Sequence, residues 1–90
     1  MNYIVIELQT DANLVTSVLY TVYDNKDQAE SKYHTILAYA AVNPNLFIHA
    51  ASIIMPDGSP YMHSYYRRDE VYNNAHQAPE PEEPEVPEGE

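Results

Sequence analysis

The stretch Asp24-Asn25-Lys26-Asp27-Gln28-Ala29-Glu30-Ser31-Lys32-Tyr33-His34-Thr35-Ile36-Leu37-Ala38-Tyr39-Ala40-Ala41-Val42-Asn43-Pro44 reads as one helix between a start and a stop signal. With Asn25 as N-cap, Gln28 falls at the third helical position, a capping-box-like pair. Asp27 and Glu30 sit early, where the helix dipole favours acids. Ala29, Tyr33, Ile36, Leu37, Ala40 and Ala41 recur at helical spacing and form an apolar stripe. Alanines 38, 40 and 41 favour the helix and let it lie close to a sheet. Asn43 tolerates a left-handed cap and Pro44 cannot continue the helix. The pattern predicts a helix over 26–42.

Strand patterns flank this helix on both sides. Residues 2–8 alternate, with Ile4, Ile6 and Leu8 on one face and Tyr3, Val5 and Glu7 on the other. Residues 9–13 are polar and turn-like. Residues 14–23 are β-branched and aromatic, a second strand in a hairpin with the first. Beyond the helix, residues 46–55 are almost wholly apolar, as in a central strand. Pro56-Asp57-Gly58-Ser59 is a tight connection in which Gly58 supplies a positive φ. Residues 60–68 form a Tyr-rich fourth strand whose Pro60 suits a sheet edge. Residues 69–76 extend that strand or make a short turn. The expectation is an α+β fold, ββαββ, with a four-stranded antiparallel sheet in the order 2-1-3-4, covered by one helix on one face.

Charge divides the chain in two. It carries 4 Lys+Arg against 14 Asp+Glu, a formal charge of −10. Residues 77–90 hold four prolines and six glutamates and no base. Such a segment cannot offset its ordering entropy by burial, so a small domain over 1–76 and a disordered acidic tail over 77–90 are expected. Four bases are too few to neutralise nucleic-acid phosphates or to hold an anionic membrane. No run approaches the ~18 apolar residues of a membrane span. The start Met1-Asn2-Tyr3-Ile4-Val5-Ile6-Glu7 lacks a basic region and is broken by Glu7, so it does not read as a signal peptide.

Catalytic and metal patterns are missing. The chain has no cysteine, which removes thiol chemistry and Cys-based metal sites. His34, His49, His63 and His76 share no ligand spacing. His34 reads as a surface partner of Glu30. His49 and His63 lie on consecutive strands and could face each other, but two ligands do not make a site. No nucleophile elbow surrounds any serine, and two glycines make no phosphate loop. Arg67-Arg68-Asp69-Glu70 reads as a solvated strand end. No catalytic residue, cofactor or metal is expected, and the chain is not read as an enzyme.

Nine tyrosines stand against one Phe and no Trp. A single helix leaves one sheet face bare, and tyrosine suits such a face because its ring buries area while its hydroxyl stays wet. Tyrosine is also a good strand former on any half-exposed sheet. Val5, Leu19, Phe47 and Met55 are expected to add apolar area to the bare face. The residues expected to bind a partner are Tyr3, Tyr23, Tyr61, His63 and Tyr65, and the partner is a protein or a second copy of the chain.

Three stretches carry a family resemblance: Tyr3-Ile4-Val5-Ile6-Glu7-Leu8-Gln9-Thr10, the helix segment from Gln28 through Ala38 to Ala40-Ala41-Val42, and the His49-Ala50 strand with its Gly-containing hairpin. Over residues 3–68 the chain resembles small uncharacterised proteins encoded in prophages and mobile elements of gut Firmicutes. The resemblance implies a short chain in the host cytoplasm and carries over no catalytic residue. The Tyr-heavy last strand and the Pro/Glu tail depart from that pattern. Two functions are expected: a non-enzymatic protein-interaction module of phage or prophage origin, or an acidic inhibitor of a host defence protein that mimics a polyanion.

Overall fold

A computed structural model describes residues 1–76; the acidic tail, and the polyanion mimicry assigned to it, lie outside the described residues. The element order is β1 (Tyr3–Thr10), β2 (Thr16–Tyr23), α1 (Lys26–Val42), β3 (Ile48–Ile54), β4 (Pro60–Arg67) and α2 (Asp69–Ala75). The four strands form one antiparallel sheet in the order β2-β1-β3-β4, as the α+β reading requires. Residues 69–75 are neither strand nor turn but the short helix α2.

Helix α1 begins where its cap dictates. The Asn25 side chain accepts a hydrogen bond from the Gln28 backbone N–H at 3.0 Å, satisfying one of the donors a helix start leaves free. The other end differs from the expectation. Asn43 is extended, with φ −100°, not left-handed, and its N–H reaches the Ala40 carbonyl. A side chain closes this end as well: Arg68 donates to the Ala41 carbonyl at 3.0 Å. A cation there complements the helix dipole, so Arg68 does more than solvate a strand end. Gly58 takes φ 88° in the β3–β4 turn, as its position required. Leu14 also has a positive φ, 65°, held by Asp11, whose carboxylate accepts from the N–H groups of Asn13 and Val15.

The core lies between α1 and one face of the sheet. Ala29, Tyr33 and Ile36 from the helix meet Val5, Ala51 and Ile53 from β1 and β3, and Tyr3, Tyr23, Leu37 and Met62 close its margins. Ala29 and Ala40 are fully buried, so the small side chains do bring the helix close to the sheet. The face that α1 covers is the one bearing Tyr3, Val5 and Glu7, not the Ile4–Ile6–Leu8 face. Val5 is therefore core, and not part of a bare surface. Phe47 is buried as well, against Tyr72 of α2 and beneath the Arg67 guanidinium. Met55 is half-buried.

Candidate functional site

Strand pairing sorts every side chain onto one of two faces, because directly opposed residues point the same way. On the face away from α1, the rows are Val22–Ile4–Ile54, Tyr20–Ile6–Ser52–His63, Val18–Leu8–Ala50–Tyr65 and Thr16–Thr10–Ile48–Arg67. Among the described residues no element lies over this face. Val18 is 62 % exposed, Tyr20 71 % and Tyr65 58 %, while Ile4, Ile6, Leu8, Ile48 and Ile54 are half-buried only by their neighbours. With strands ~4.8 Å apart and ~3.4 Å per residue, the face covers roughly 450 Å². Its apolar part is the Val22–Ile4–Ile54 and Val18–Leu8–Ala50 rows with Ile6 and Ile48, and Thr10, Thr16, Ser52, His63 and Arg67 are its polar part. Ala50 and Ser52 of β3 lie between Leu8 and Ile6 of β1 and the rings of Tyr65 and His63, and Ala50 is buried among them. The Ser52 hydroxyl and His63 Nδ1 lie 2.7 Å apart, and the His63 and Tyr65 ring centroids 6.0 Å apart.

The five residues expected to bind a partner are split between the faces. His63 and Tyr65 lie on the open face. Tyr3 and Tyr23 pack against the core beneath α1. Tyr61 is also on the helix side, because a register shift between Ile53 and Ile54 inserts it as an extra residue in β4. Its hydroxyl donates to Glu30 Oε2 at 2.6 Å, and its ring lies 6.0 Å from that of Tyr3. The hydrogen bond from Tyr61, aided by Lys26 Nζ at 3.3 Å, holds the Glu30 carboxyl below its ordinary pKa and pushes the Tyr61 hydroxyl up. Glu30 is thus taken by Tyr61 and Lys26, not by His34, whose ring instead meets the Tyr33 ring edge-on. The aliphatic members of the open face, with Tyr20, went unread as a surface. Alternation groups them together, but it does not say which group a helix will cover.

His49 and His63 do not face each other. His63 is on the open face, whereas His49 is 2 % exposed beneath α1. There its Nε2 lies 2.6 Å from Glu7 Oε2, and its ring meets Tyr39 edge-on. Burial alone would raise the Glu7 carboxyl, but hydrogen bonds from Gln9 and His49, with the charges of His49 and Lys32, leave it below its ordinary value. His49 Nδ1 is buried without a partner among the described residues. The pair lies on the helix side of the sheet, away from the open face. Among the described residues no three His, Asp or Glu side chains converge to hold a metal ion. No helix among them is long and apolar enough to cross a membrane. In comparisons with known proteins, the chain matches no family model, no curated protein and no solved structure.

Proposed function

We propose that the chain is a small non-enzymatic protein-interaction module of phage or prophage origin, working in the host cytoplasm, that binds a protein through the open sheet face. The observation that carries the binding reading is an uncovered face in which aliphatic rows are bordered by exposed Tyr20 and Tyr65. Water contact with these groups is unfavourable at roughly 25 cal/mol per Å², and a partner relieves it. The two tyrosines, with His63, supply rings and hydrogen-bonding tips of the kind that dominate protein contacts. The origin rests only on the resemblance over residues 3–68.

The test is affinity capture from host lysate, comparing the full chain with a Val18→Thr, Tyr20→Thr, Tyr65→Ser variant. All three positions are exposed, so the fold persists, as circular dichroism would verify. A captured partner should bind the variant at least about tenfold more weakly, which is about 1.4 kcal/mol spread over three contacts. Equal retention of every partner would refute the surface.

A further inference from the structure

We infer that two copies of the chain pair through the free edge of β2, antiparallel and centred on Leu19, to make one continuous eight-stranded sheet. The inference stands beside the proposed function. It uses the edge of the strand and leaves the apolar face of each copy free.

The geometry begins with which backbone groups point outward. The Phe47 N–H donates to the Thr10 carbonyl at 2.9 Å, so Thr10 turns its backbone toward β3. The Asp11 N–H donates to the Val15 carbonyl at 3.0 Å, so the next residue turns toward β2. In an antiparallel ladder this alternation continues along both strands. Gln9, Glu7, Val5 and Tyr3 bond with Ser17, Leu19, Thr21 and Tyr23, and the N–H and C=O groups of Thr16, Val18, Tyr20 and Val22 face outward at the sheet edge.

Among the described residues this edge has none of the usual protection against strand pairing. Its eight residues, Thr-Ser-Val-Leu-Tyr-Thr-Val-Tyr, include no charge, proline or glycine and are β-branched or aromatic at most positions. The opposite edge contrasts at every point: β4 starts with Pro60, carries the register shift at Tyr61 and ends at Arg67. One edge is blunted and the other is not.

A second copy fits the open edge in an antiparallel register whose side chains and charges are compatible. In the register centred on Leu19, Thr16 meets Val22 and Val18 meets Tyr20, so each outward N–H and C=O finds a partner. Asp24 falls opposite Leu14, and no like charges meet. The two Leu19 side chains, each 51 % exposed on the helix side, come together at the two-fold axis. They lie beside a groove between α1 and β2 lined by Val5, Leu19, Thr21, Lys32 and Ile36, the strip of sheet that one helix does not reach.

The test is sedimentation equilibrium of the full chain over a concentration and salt series, with amide hydrogen exchange on the same samples. The expected result is a dimer that tightens with salt, because the chain's −10 charge resists association until it is screened. The amides of Thr16, Val18, Tyr20 and Val22 should exchange slowly in the dimer and freely on dilution. Leu19→Lys should abolish the dimer, since two cations meet at the axis, while each new cation faces Glu7 across the strand pair and keeps the monomer folded. Val18→Pro should do the same by removing an outward donor that no bond among the described residues uses. A monomer at every concentration overturns the inference, as does a dimer whose four edge amides exchange freely. In either case capture through the open face is unaffected, and failure of capture leaves mass and exchange unchanged.

Discussion

Replacing Ile53 by Ala should cost about 3–4 kcal/mol of unfolding free energy, against a total of about 5–10 kcal/mol for a domain of this size. Ile53 is fully buried between α1 and the sheet, in contact with the Val5, Tyr33 and Ile36 cluster. Close packing of a helix held near the sheet by Ala29 and Ala40 leaves little freedom to collapse into the vacated space, so the cavity adds to the lost transfer energy. The neighbouring Ile54→Ala removes the same atoms from the opposite face, where water already reaches them, and should cost less than half as much. Urea midpoints of the two variants compare the faces directly. Equal losses would mean that both faces are enclosed.

Glu7→Ala should cost about 1–3 kcal/mol, because it leaves both nitrogens of a buried imidazole without partners. A Glu7→Val, His49→Leu double variant should recover much of the loss, since a buried polar pair adds little over well-packed apolar side chains. Acid should act on the same contact. The folded-state pKa of Glu7 is lowered, so its contribution to stability is present above the ordinary carboxylate pKa. That contribution is lost as pH falls through the folded value. Urea unfolding of the wild-type chain should show this acid loss, and Glu7→Gln should reduce its slope. An unchanged slope would mean that Glu7 does not titrate against His49.

Much of the fold was legible because its signals are local. Asn25 with Gln28, the Ala29–Tyr33–Ile36–Ala40 spacing and Gly58 each constrain a few neighbouring residues, and each holds in the structure. The strand order followed from chain connectivity. The choice of covered face was not legible. β1 offers Ile4–Ile6–Leu8 on one side and Tyr3–Val5–Glu7 on the other, and the more uniformly apolar side reads as core. The structure buries the side with the acid, because Glu7 finds His49 from a strand more than forty residues away. That long-range pair offsets part of the cost that spacing alone assigns to a half-buried glutamate. The tyrosines divided for a similar reason: Tyr61 is turned toward Glu30 by a one-residue irregularity in β4 that alternation does not reveal.

The binding surface is tested most directly by methyl-resolved NMR of the full chain, titrated with the partner that capture identifies. Shifts should concentrate on the methyls of Ile4, Ile6, Leu8, Val18 and Val22, while those of Val5, Ile36 and Ile53 stay in place. Shifts confined to the outer surface of α1, with the open-face methyls unmoved, would contradict the proposed surface.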